Sequence, residues 1–107
     1  MTLKTENDKF AISFCLYKDK EVAVARIYAE TNAIFEKHYH NELEVVTIVS
    51  GVLSILLDDG DEIQNVTLTS GQTLHILPNV VHSSVILETC ILVVLTIPAS
   101  EGFPDGE

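Results

Sequence analysis

His38-Tyr-His-Asn-Glu-Leu-Glu-Val-Val-Thr-Ile-Val-Ser-Gly51, running on into Val52-Leu-Ser-Ile-Leu-Leu57, carries both the fold pattern and the reactive side chains. Glu44 to Val49 and Val52 to Leu57 are strand-length runs rich in Val, Ile and Leu, and Ser50-Gly51 between them reads as a turn. Asp58-Asp-Gly-Asp61 follows as a hairpin turn, because Gly60 accepts the positive φ that a tight turn demands. Outward from this centre the same pattern continues. Phe10 to Tyr17 and Val22 to Tyr28 precede it, parted by the charged turn Lys18-Asp-Lys-Glu21. Ile63 to Leu68, Thr73 to Leu77, His82 to Leu87 and Thr89 to Ile97 follow, with breaks at Ser70-Gly71 and Pro78-Asn79. No stretch keeps a 3.6-residue apolar period for the ~11 residues an average helix needs. The reading is all-β. Eight or so short strands in one small domain must hide their edges, which a closed barrel or a two-sheet jelly roll does.

At 107 residues the chain is one domain, and 47% hydrophobic residues make it too apolar for disorder. The apolar run Ile91 to Leu95 falls far short of the ~18 residues of a membrane span. Met1-Thr-Leu-Lys-Thr-Glu-Asn-Asp8 lacks the basic-then-apolar pattern of a secretory signal, so the expected location is cytoplasmic and the Asn65-Val66-Thr67 sequon carries no meaning. Cys15 and Cys90 have no second Cys nearby and read as buried, reduced thiols, although two strands could bring them into a disulfide. Sixteen acidic residues against six basic ones leave a net charge of -10. All the basic residues, Lys4, Lys9, Lys18, Lys20, Arg26 and Lys37, lie in the first 37 positions. Nucleic acid is therefore excluded as a partner, since its phosphates are neutralised by Lys and Arg, and no membrane partner is expected. No Gly-rich phosphate loop is present.

The histidines are the informative side chains. His38 and His40 are two apart, so on a strand both imidazoles share a face, and Glu44 lies four beyond His40. His82 comes forty-two residues after His40, behind the Pro78-Asn79 loop. Three imidazoles and a carboxylate suit one divalent first-row ion per chain: iron, manganese, nickel, zinc, copper or cobalt. Glu42 competes with Glu44 as the carboxylate, because the bend at Asn41-Glu42 breaks the parity count. His75 alternates with Thr73 and Leu77 and reads as a structural histidine or one orienting a ligand's second nitrogen. Arg26 is the one cation within a predicted strand, facing either a substrate carboxylate or a surface ion pair. Phe35 is pocket wall or plain core.

His38-x-His40-(x)3-Glu44-(x)6-Gly51 resembles the first motif of the cupin superfamily, and Gly71 to Ile86 resembles the second, G-(x)5-P-x-G-(x)2-H-(x)3-N. The resemblance covers about Phe35 to Ile86. It implies a small, single-domain cupin jelly roll over residues 1–97, with motif one at about 38–51 and motif two at about 71–86; the stretch Pro98 to Glu107 reads by its own composition as a flexible tail. It also implies a metal on His38, His40, Glu44 and His82. The departures are Asn32 and Asn79 at two glycine positions, Leu77 at a proline position and Ile86 at the closing Asn position. Asn tolerates left-handed turn geometry, so the first two cost little.

Cupins that this chain resembles support dioxygenase, isomerase, decarboxylase or lyase chemistry, and the sparse cations favour a small neutral or aromatic substrate. The alternative is a ligand-sensing module without turnover, since the same stretch also resembles the sensor domains of sugar-responsive regulators. A third reading is a metal that ties the barrel together and does no chemistry. A homodimer is expected, with the β-runs of residues 1–34 pairing across a two-fold axis.

Overall fold

A computed structural model describes residues 1–100. Seven strands follow in order: β1 (Ala11–Lys18), β2 (Ala23–Ala29), β3 (Ile34–His38), β4 (Leu43–Asp58), β5 (Ile63–Leu68), β6 (Thr73–Ile76) and β7 (Val81–Ile97). Every pairing is antiparallel. The architecture is all-β, a jelly-roll barrel, and its two long strands organise it. The first half of β4 pairs with β6 and with the second half of β7, which in turn pairs with β2 and through it β1. The second half of β4 pairs with β5 and with the first half of β7, which pairs on its other side with β3. Two sheets therefore share β4 and β7, and those strands turn the corner between them.

The corner corrects the sequence reading. Ser50-Gly51 is no turn between two strands but a bulged bend inside β4, with register shifts against β7 between Ile48 and Leu53. Bulges are how strands pass from one sheet to the next. Gly51 has φ +97°, and a Cβ there would lie 2.3 Å from the Thr89 carbonyl oxygen and 2.8 Å from Cys90 Sγ. Only a residue without a side chain fits that crossing. The two runs expected at His82–Leu87 and Thr89–Ile97 are likewise one strand bent at the same place. β3 was absent from the strand pattern because Glu36, Lys37 and His38 are exposed and interrupt it. Ile34 and Phe35 nonetheless pair with Val85 and Ser84. Asn32 and Asn79 adopt φ of 72° and 67°, the left-handed geometry expected where the motifs place glycine.

The inward faces make one core. Val46, Ile48, Ile76 and Ile86 are almost wholly enclosed, and Ala23, Ala25 and Ala29 let β2 pack closely. Both cysteines are free, but the expectation of two buried thiols fails at Cys15, which is exposed. Ala11 and Ser13 alternate inward, and a register shift between Cys15 and Tyr17 then carries the end of β1 out of cover. Cys90 is buried, which pushes its thiol pKa up. Pro98 to Ser100 of the expected tail are described, with the Ser100 N–H donating to Thr96 Oγ1 at 3.3 Å. Residues 101–107 of that tail lie outside the described residues. Among the described residues no helix is long and apolar enough to cross a membrane.

Candidate metal centre

At one end of the barrel the two sheets present histidines to each other. β3 ends at His38, whose cross-strand partner is His82, the second residue of β7. The chain then leaves the sheet, carries His40 in the link to β4, and begins β4 one residue before Glu44. The Asn79 N–H donates to the His40 carbonyl at 2.8 Å, which ties the Pro78-Asn79 loop to the link. His38 and His40 thus do not share one strand face, as their spacing suggested. They converge because the chain crosses from one sheet to the other between them.

His38, His40 and His82 each offer a ring nitrogen within 4.8 Å of the others, the one such group among the described residues. Ring centroids are 4.2 Å apart for His38–His82 and 5.1 Å for His40–His82. Each Nδ1 faces a backbone carbonyl: Glu36 for His38 at 2.8 Å, Glu42 for His40 at 3.0 Å and Val80 for His82 at 2.9 Å. A carbonyl only accepts, so each Nδ1 carries its proton and Nε2 is left as the coordinating atom. Glu44 Oε1 lies 2.9 Å from His40 Nε2 and 3.7 Å from His82 Nε2.

The electrostatics divide the histidines. The bond to Glu44 raises the His40 pKa, outweighing its partial burial. Burial lowers the His82 pKa, because little of that ring reaches water to solvate a charge. Burial therefore favours the neutral form of His82, and its Nε2 is a buried polar atom without a hydrogen-bond partner among the described residues. An orphaned lone pair in a buried site costs about 1–3 kcal/mol unless a donor or a cation meets it. A cation held by three Nε2 atoms and one carboxylate would satisfy His82 and take the place of the proton between His40 and Glu44. The donor set fits such an ion.

These four residues open into a cavity of about 340 Å³, at the small end for ligand pockets. Its walls are mainly apolar, from Ile27, Val46, Ile55, Ile86, Leu92 and Val94 among others, and Phe35 belongs to them. The other singled-out residues stand elsewhere. Glu42 is behind His40, its carbonyl on Nδ1 and its carboxylate 3.6 Å from that atom, on the side away from Nε2. His75 does alternate with Thr73 and Leu77, but all three face outward and exposed, so His75 neither lines the cavity nor orients a ligand nitrogen. Arg26 is on the exposed face of β2, which directs Ala25 and Ile27 inward, and so meets no substrate in the cavity. The sequence reading missed Ser84 and Thr96, which line the cavity and could have been found by alternation from His82 and Val94. It also missed Lys4, for which no local pattern exists.

No protein-family model matches this sequence, nor does any curated protein. Solved structures do match. KdgF from Halomonas sp. superposes with a TM-score of 0.77 at 14% identity, over 94% of this chain and 88% of that one. An RmlC-like cupin from Shewanella frigidimarina gives 0.76 at 22% identity, over 94% of each chain. A variant of Bacillus subtilis oxalate decarboxylase, an enzyme with Mn(II) centres, gives 0.75 at 17% identity, over 94% of this chain but 30% of the decarboxylase. At these identities the likeness is one of fold, and that fold is the cupin barrel.

Proposed function

We propose that this cupin barrel is a metal-dependent enzyme, of dioxygenase, isomerase, decarboxylase or lyase type, acting on a small and largely apolar substrate. The observation that carries the reading is the orphaned Nε2 of His82, facing His38, His40 and Glu44 at one end of a mainly apolar cavity. The comparison with a decarboxylase holding Mn(II) supports the same choice. His38, His40 and His82 would hold the ion through Nε2 with Glu44 as the fourth ligand, and a divalent ion there supplies Lewis acidity toward a substrate oxygen. The remaining work belongs to the chain. Backbone carbonyls on the three Nδ1–H groups lock the ring tautomers. The apolar walls lower the local polarity around the site, which strengthens charge interactions there.

Elemental analysis of untagged wild type beside His40→Ala and His82→Ala tests this. About one transition metal per chain, lost in both variants, is the expected result. Wild type that stays metal-free after reconstitution overturns it, and the cavity then reads as the organic-ligand pocket of a sensing module. We also propose a cytoplasmic homodimer joined through β1. The free thiols support the location, and exposed Phe14, Leu16 and Tyr17 on that edge strand support the interface. Analytical ultracentrifugation should give about twice the chain mass of 11.8 kDa; a mass near that single value excludes the dimer.

A further inference from the structure

The acidic second half of the chain pointed to a neutral substrate, but the fold brings one cation back. Residues 1–7 form a strap along the barrel, fastened on both sides of Lys4. The Leu3 N–H donates to the Ala11 carbonyl at 2.9 Å, and the Ser13 N–H to the Met1 carbonyl at 2.8 Å. Beyond Lys4, the Glu6 N–H donates to the Ile34 carbonyl at 2.7 Å and Asn7 Oδ1 accepts from the Ile34 N–H at 3.2 Å. Thr5 is buried, with 4% of its surface exposed. The backbone of Lys4 is thus held in place between a half-buried and a buried neighbour.

Lys4 lines the cavity that ends at the three histidines, and it is the one Lys or Arg among the lining residues. It is also exposed, so it stands where the cavity meets solvent. A lysine there lays its stem on the apolar wall and keeps its ammonium at the wet rim. In a chain of net charge -10, no carboxylate of the described residues pairs with it. The cavity therefore has an apolar middle, a carboxylate-and-imidazole floor suited to a cation, and at its mouth a lysine that no carboxylate of the described residues neutralises.

We propose that Lys4 selects a substrate bearing one carboxylate on an apolar or aromatic body, pairing with that carboxylate at the rim while another oxygen of the molecule reaches the metal end. This rests on the metal-enzyme reading and narrows its largely apolar substrate to a monocarboxylate. With a divalent ion on three neutral imidazoles and Glu44, the cavity is net positive, which favours an anion further.

The test uses 3,4-dihydroxybenzoate, whose catechol can chelate a metal, and its uncharged counterpart 3,4-dihydroxybenzamide. Both are titrated by calorimetry into wild type, Lys4→Gln and Lys4→Arg, each in Co(II)-loaded and metal-stripped form. Wild type should prefer the acid about tenfold, the scale of one charge-assisted bond at a partly exposed site. Lys4→Gln should bring the ratio near one with amide affinity unchanged, and Lys4→Arg should restore it. An acid preference that survives in Lys4→Gln overturns the proposal, as does failure of both probes to bind wild type in either form. Failure of the metal reading shows separately, as no uptake of Co(II); the acid-to-amide ratio in the metal-stripped protein then still decides the role of Lys4.

Discussion

His75 and His82 are seven residues apart in sequence, and each belongs to a strand beside β4. Yet one is exposed on the outer face and the other is nine-tenths buried with an orphaned nitrogen. Gly51 and Gly60 make the same contrast. Both adopt positive φ, but a Cβ at Gly60 would meet nothing within 4 Å, whereas at Gly51 it would strike the backbone of β7. In each pair the residue type and local pattern are alike. What differs is the neighbour brought from far along the chain, and that neighbour sets the chemistry.

The largest effect should come from the histidine pair. His82→Ala removes a proposed ligand and should weaken metal binding by more than about a hundredfold, since even losing an outer partner of a ligand costs 10–100-fold. His75→Ala should leave metal content unchanged and stability within about 0.5 kcal/mol, as surface substitutions do. Equal metal loss in both, by competition with a chromogenic chelator, would erase the contrast.

The glycine pair should separate nearly as far. Gly51→Ala combines a strained φ with a backbone collision and should cost about 3 kcal/mol or more by urea denaturation, whereas Gly60→Ala carries only the φ strain, about 1 kcal/mol. Similar costs at the two sites would mean that β4 and β7 do not cross as closely as described.

Glu44→Gln should sharpen the difference between His40 and His82 with a smaller loss of metal affinity than His82→Ala, because the amide oxygen can still reach the ion but brings no charge. It should also lower the His40 pKa by removing the partner that raises it, which proton NMR titration of the metal-free protein would follow. A His40 resonance that titrates unchanged would contradict the Glu44 contact.

The smallest effect is on pH dependence. His40 titrates above the ordinary value of about 6.5, so its contribution to stability is full below that pH and is lost as pH rises through the raised value. His82 titrates below it, so the folded state binds its proton less readily, and its contribution is full above about pH 6.5 and lost as pH falls through the lowered value. Stability of the metal-free protein from this pair should peak near about pH 6.5. In Glu44→Gln the decline on the alkaline side should flatten; an unaltered alkaline limb would remove His40 from the account.

Much of the molecule was legible in the linear chain. Period-two apolar runs identified β1, β2, β5, β6 and the halves of β4 and β7, because side-chain alternation is a local property of extended backbone. The spacing of His38, His40, Glu44 and His82 singled out the residues that the fold brings to one end of one cavity. The rest depends on distance along the chain. Whether Gly51 turns a hairpin or bends a continuous strand is decided by β7 crossing beside it, thirty-eight residues away at Thr89. Parity on β6 says that His75 and Thr73 share a face, but which face looks inward is set by pairing with β4. Lys4 has no pattern around it at all. It reaches the cavity because the strap is fastened to β1 and β3, contacts between segments up to about thirty residues apart that no local period encodes.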